Sequence, residues 1–262
     1  MYRITNNSIS FFRDYNGTDF ITIIENYNQI NQNKITEIVF GYSFNQDISF
    51  LPQYITKIKF HTFFNKNIDF LPNNLTHLTF DYFSLFNQSV DNLPKSLTHL
   101  TLGCCFNQSI DFLPDRLNYL ELGDDFNQSV DNLPQSLTHL EIGYMFNQSI
   151  NNLPNNLQHL RLGDYFNQPV DNLPYSLLYL HFGHMFNQPI NNMPNNLYEL
   201  IFGNSFNQSI DNLPENLYYL KLGVLFDFLL DNLPCGLSQI ELSYNYNKSL
   251  DNIPKHIQIT RS

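Results

Sequence analysis

A β-rich solenoid, wound as a right-handed coil of 20-residue units with a parallel sheet on its inner face and an extended or 3-10 outer face, is the fold this sequence predicts. Three observations predict it. Phe-Asn-Gln returns every 20 residues, at Phe106, Phe126, Phe146, Phe166, Phe186 and Phe206. Leu-Pro or its equivalent falls at Pro52, Pro72, Pro94, Pro114, Pro134, Pro154, Pro174, Pro194, Pro214, Pro234 and Pro254, eleven sites spaced by 20 residues with one interval of 22. Between them runs Leu97-x-x-Leu100-x-Leu102-Gly103, an alternating pair with one earlier anchor, which suits a short strand entered from a turn. Fixed self-similarity at this period means that each unit buries its apolar face only against its neighbours.

The elements follow in chain order. Residues 1–34 precede the array as an N-terminal cap in which Phe11, Phe12, Phe20, Ile21, Ile23 and Ile24 cover the first coil, partly through a short helix near residues 18–27. Residues 35–250 hold the eleven units, each with its strand near the equivalent of residues 99–103. A coil of 20 residues with about 4–5 of them in a strand has no room for a helix and two corners, and a proline in every unit stops any helical run. Gly103 and its counterparts Gly41, Gly123, Gly143, Gly163, Gly183, Gly203 and Gly223 are expected to permit a bend after the strand. The long interval comes from two residues inserted within Asp81, Tyr82, Phe83, Ser84 and Leu85, expected to bulge outward as a loop. Residues 251–262 form a C-terminal cap; Phe228, Leu229 and Leu230 either pack beneath it or expose a patch for a partner.

Leu-x-x-Leu-x-Leu is the strand signature of the leucine-rich repeat, and Leu-Pro-x-x-Leu-x-x-Leu-x-Leu at this period looks like its shortest, bacterial-type class. The added Phe-Asn-Gln-x-Ile element resembles the FNIP repeat, a leucine-rich-repeat relative found in long arrays in amoebae and in the giant viruses that infect them. The resemblance covers residues 35–257. Members often carry an F-box or a kinase domain ahead of the array, and residues 1–34 are too few for either. The resemblance therefore implies a recognition scaffold, leucine-rich-repeat-like in fold, with no attached effector.

Composition narrows the function. A net charge of −11 is opposite in sign to what a phosphate backbone attracts, so nucleic acid is not an expected partner. No run of 18 apolar residues and no basic-then-apolar leader occurs, so neither a membrane span nor secretion is expected, and the protein belongs in the cytoplasm or nucleus. Cys104, Cys105 and Cys235 lack metal spacing and are expected as reduced thiols. The Asn of each Phe-Asn-Gln is expected to hydrogen-bond its own and the adjoining coil, so that Asn147→Ala would cost about 1–3 kcal/mol if buried. Asp91, Asp111, Asp131, Asp171, Asp211, Asp231 and Asp251 are expected to bond the local backbone.

Candidate site residues come from strand alternation: with Leu100 and Leu102 inward, residues 99 and 101 face out. One outward column runs Lys57, His77, His99, Tyr119, His139, His159, Tyr179, Glu199, Tyr219 and Gln239. The second runs Lys59, Thr79, Thr101, Glu121, Glu141, Arg161, His181, Ile201, Lys221 and Glu241. Tyrosine and imidazole join apolar area to a polar tip, a composition suited to protein interfaces. His77 with His99, or His139 with His159, would be neighbours about 5 Å apart. Zinc wants three or four ligands, and only Glu121, Glu141 and His181 could help, so no metal and no cofactor is expected. No phosphate loop or nucleophile elbow is present, and no catalytic residue is assigned. The expected function is a non-enzymatic scaffold that binds a protein through the strand face. The alternatives are a substrate receptor recruiting a separate ubiquitin-ligase component and, disfavoured by one strand signature per unit, a carbohydrate-active β-helix enzyme.

Overall fold

The computed structural model describes residues 2–12, 19–31 and 34–262. They form two compact units, Met1–Gln128 and Ser129–Ser262.

The first unit opens with an antiparallel hairpin of β1 (Tyr2–Thr5) and β2 (Ser8–Phe11), turned at Asn6 with φ 54°, a conformation asparagine tolerates. Helix α1 (Phe20–Ile30) follows, close to the expected position. It drives Phe20 edge-on against Phe40 and Phe44, at 5.3 and 5.5 Å between ring centres. Phe11, Phe20 and Ile24 are buried as expected, but Phe12 stands in solvent. From β2 onward the pairing is parallel through β3 (Glu37–Val39), β4 (Lys57–Phe60), β5 (His77–Phe80), β6 (His99–Thr101) and β7 (Tyr119–Leu122).

The second unit repeats the scheme in β8 (His139–Ile142), β9 (His159–Arg161), β10 (Tyr179–His181), β11 (Glu199–Ile201), β12 (Tyr219–Lys221), β13 (Gln239–Leu242) and β14 (Gln258–Arg261), each paired in parallel with the next. There is one strand per coil. Among the described residues the rest of each coil is extended backbone joined by single turns, without the 3-10 segments the sequence allowed. A typical turn has Leu97 N–H donating to Pro94 O at 3.0 Å. Proline suits that buried corner because it fixes φ and carries no N–H to leave unpaired.

The interior is a file of phenylalanine rings. In the second unit Phe146, Phe166, Phe186 and Phe206 are fully buried and nearly parallel, with centres 6.0–6.1 Å apart. Where the residue that follows the strand is also Phe, a second ring fills the gap: Phe182 lies 3.8 Å from Phe186 and Phe202 3.7 Å from Phe206. Tyr246 ends the file at 6.1 Å from Phe226, and its hydroxyl donates to Phe228 O. Leu230 is buried as an ordinary core residue, whereas Phe228 and Leu229 are exposed, so residues 251–262 do not cover them.

The glycines do a different job from the one expected. Among the described residues none has positive φ. A Cβ on Gly123 would lie 2.2 Å from Gly103 O, and one on Gly163 would lie 1.9 Å from Gly143 O. The residue is needed because successive coils touch backbone to backbone. At the insertion, Ser84 is wholly buried, and its Oγ accepts the Phe86 N–H that a glycine carbonyl accepts elsewhere, as Gly103 O does for Phe106. Tyr82, Phe83 and Leu85 project outward, as a loop should.

Polar ladders run up the outer corners. Asn147 Oδ1 accepts the Asn167 N–H at 3.0 Å and the Gln168 side-chain amide at 3.1 Å, and Asn167 treats Asn187 and Gln188 alike. Because Asn147 is exposed, Asn147→Ala is expected to cost about 0.5–1.5 kcal/mol in urea unfolding, below the range for a buried amide. The Asp column bonds side chains more than backbone: Ser209 Oγ donates to Asp211 Oδ2, and Asn232 of the next coil donates to Asp211 Oδ1. Phe50, Phe70 and Phe112 replace that Asn in three coils of the first unit and are strongly exposed.

Candidate functional site

The strands bring both outward columns onto one face in each unit, in the register that the repeat dictates. In the first unit His77, His99 and Tyr119 stand side by side, with Thr101 and Glu121 in the second column. In the second unit His139, His159, Tyr179, Glu199, Tyr219 and Gln239 line up, beside Glu141, Arg161, His181, Ile201, Lys221 and Glu241. Most are half-buried, not open.

Both units contain the same run of two imidazoles and a phenol. His77 and His99 stack with centres 4.2 Å apart and planes 7° from parallel, and Tyr119 follows at 5.9 Å. His139 and His159 stack at 4.0 Å, and Tyr179 lies 4.3 Å beyond His159. Threonine sets the tautomer. Thr76 Oγ1 donates its one proton to Thr56 O, so in the 2.9 Å contact with His77 it is Nδ1–H that donates. Thr98 and His99 repeat the arrangement. Face-to-face rings held this way cannot both aim an in-plane lone pair at one ion between them. Among the described residues no group of three or more His, Cys, Asp or Glu could hold a metal.

Burial lowers the basicity of His77, reinforced by His99 and Lys57 and opposed by Glu37. His159 is lowered likewise by burial, His139 and His181, against Glu141 and Glu199. Above the ordinary imidazole value both folded and unfolded chains are neutral there; below it the unfolded chain takes up protons first. Stability should therefore fall as pH drops from about 7 to 5. The variant carrying His77→Gln and His159→Gln is expected to show a shallower fall in melting temperature over that range, and an unchanged slope would remove the stacked imidazoles as its cause.

The carboxylates are mostly engaged. Glu121 accepts from Tyr119 Oη at 3.2 Å and Thr101 Oγ1 at 3.4 Å. Glu199 Oε1 is 2.6 Å from His181 Nε2. Glu241 meets Lys221 Nζ and Tyr219 Oη, each at 2.6 Å, and the Lys221 ammonium holds its carboxyl down to about 2, helped by Ser262 and Tyr219. Burial and the Glu241 contact in turn raise Tyr219. Arg161 differs: it is exposed, and among the described residues it has no ion pair or side-chain hydrogen bond. It borders a hollow of about 170 Å³ with His139, His159, Tyr179, His181 and Glu141. Tyr198, stacked on Tyr218 at 4.9 Å, roofs a second hollow of about 330 Å³; strand alternation did not single it out because it precedes the strand.

One strand per coil, a single-file apolar core and a polar-aromatic strand face define a leucine-rich-repeat-like solenoid, a fold typical of protein-interaction scaffolds. The FNIP repeat matches residues 20–63, 64–105, 106–145, 146–185 and 186–225. The chain belongs to the FNIP repeat family. The last four blocks span two coils each, whereas the first begins at the start of α1, earlier than the strand pattern suggested. Among solved structures the chain is similar to the giant-virus protein CroV588, described as a novel circular LRR protein, with 31% identity over 99% of this chain and a TM-score of 0.61. It spans 54% of that protein's chain, about half its length. YopM from Yersinia enterocolitica WA-314 aligns over 87% of this chain and 64% of its own, at 18% identity and a TM-score of 0.41. No curated protein matches. No helix among the described residues is long and apolar enough to cross a membrane.

Proposed function

We propose that this chain is a non-enzymatic scaffold that binds a protein partner through its strand face. The observation that carries the reading is the pair of His-His-Tyr stacks, which present ring edges in rigid rows on the face where no core requires them. Rings locked by stacking lose little side-chain entropy on binding, and tyrosine and arginine are the residues that dominate interface energies. The single strand per coil supports a scaffold over a β-helix enzyme.

The test is a pull-down from the native host cell with the wild-type chain and with Tyr119→Ala and Tyr179→Ala. Each substitution should reduce recovery of the partner at least tenfold, while circular dichroism keeps the wild-type spectrum. If both variants recover every interactor undiminished, the strand face is not the binding surface. A ubiquitin-ligase scaffold among the interactors would identify the chain as a substrate receptor.

A further inference from the structure

We infer that Arg161 anchors a carboxylate, the side chain of an aspartate or glutamate on the partner, in the hollow between β8, β9 and β10. The inference rests on the strand-face reading and sharpens it to one contact.

Pairing comes first. The lysines on the strand face of each unit are neutralised within the chain: Lys57 by Glu37 at 3.2 Å and Lys59 by Asp81 at 3.8 Å in the first, and Lys221 by Glu241 at 2.6 Å in the second. Arg161 is not, although Glu141 is its register partner on β8. Of the second-column residues of the second unit it is the exposed one. An unsatisfied guanidinium presents a planar fork of donors that matches a carboxylate in two parallel hydrogen bonds.

The surroundings then select the ligand. Three imidazoles and the Tyr179 ring wall the hollow with surfaces that carry no negative charge of their own when neutral. About 170 Å³ admits one short side chain, well below the roughly 300 Å³ at which small-molecule pockets begin. Glu141 on the rim and Glu199 beside His181 repel a dianion more than a monoanion, which favours a carboxylate over a phosphate. In a chain of net charge −11 an acidic partner is repelled over most of the surface, and on the strand face of the second unit Lys221 is already paired, so Arg161 is the cation that orients its approach there.

The probe is fluorescein-labelled tetraglutamate, followed by anisotropy with the full chain at low salt, with tetraglutamine as the uncharged control. Tetraglutamate should bind at least tenfold more tightly than tetraglutamine. Arg161→Gln should abolish that preference, while Lys255→Gln, an equal loss of charge at an exposed turn, should leave it unchanged. Equal binding of the two peptides, or full retention of tetraglutamate by Arg161→Gln, overturns the inference. So does inorganic phosphate displacing the peptide at lower concentration than glutamate does. The two readings separate cleanly: a partner lost with Tyr179→Ala but held undiminished by Arg161→Gln sinks the carboxylate anchor and leaves the strand face standing. Tetraglutamate lost with Arg161→Gln while the partner ignores Tyr119→Ala, Tyr179→Ala and Arg161→Gln sinks the strand face, and with it the partner's use of a carboxylate site that Arg161 still forms.

Discussion

Phe166→Ala is expected to destabilise the chain by about 3–5 kcal/mol, read as a lower urea midpoint at unchanged slope. The ring is fully buried and sits midway in a file, 6.1 Å from Phe146 and 6.0 Å from Phe186, with Phe182 at 6.4 Å. Removing it opens a hole that cannot close by collapse, because the distance between coils is fixed by the strand ladder on one side and the asparagine ladder on the other. The cost therefore combines lost apolar transfer, lost contacts with three rings and an unrelaxed cavity. Phe166→Leu should recover part of the loss by refilling volume, and a cost near zero for Phe166→Ala would mean that the file is not the main source of cohesion.

Gly163→Ala is expected to cost about 3 kcal/mol or more, from the addition of a single methyl. Its Cβ would meet Gly143 O at 1.9 Å and Gly143 C at 2.4 Å, and these are backbone atoms that no rotamer change can move. Relief requires the two coils to part, which stretches the neighbouring strand pairing from His159 to Arg161. Since φ is not positive here, the penalty comes from contact and not from dihedral strain. Thermal unfolding of Gly163→Ala beside Gly236→Ala tests this: both crowd a neighbouring backbone oxygen, but Gly236 has one near atom inside 3 Å and Gly163 has three. The first variant should melt lower than the second, and wild-type melting of Gly163→Ala would refute backbone contact as the reason for glycine.

Much of this was legible because a 20-residue period exposes its apolar column directly. Phe106 to Phe206 were readable as one interior file, and alternation around Leu100 and Leu102 was enough to put His99 and Thr101 on the open face. What escaped was everything that depends on which copy of a repeated residue is the partner. Asp211 and Asn212 adjoin in sequence, yet the amide that bonds Asp211 is Asn232, one coil on. In a translated pattern the local and the cross-coil partner are the same residue type, so sequence alone cannot separate them. The glycine misreading has the same origin, since a requirement imposed by the adjoining backbone looks like a requirement of the bend itself. At the site, the columns were readable, but the stacking of the rings, their half-burial and the exposure of Arg161 were not.

The asparagine ladder also bears on how such a chain grows. Asn167 offers the coil above it the same acceptor that Asn147 offers from below, so the joint between coils is identical at each step. A duplicated segment of 20 residues arrives with both halves of its own fastening and needs no new complementary surface, and Ser84 makes even a segment of 22 acceptable by supplying a substitute acceptor. Length can thus drift by gene duplication with little selection against it at the seams, leaving the strand-face residues free to diversify coil by coil.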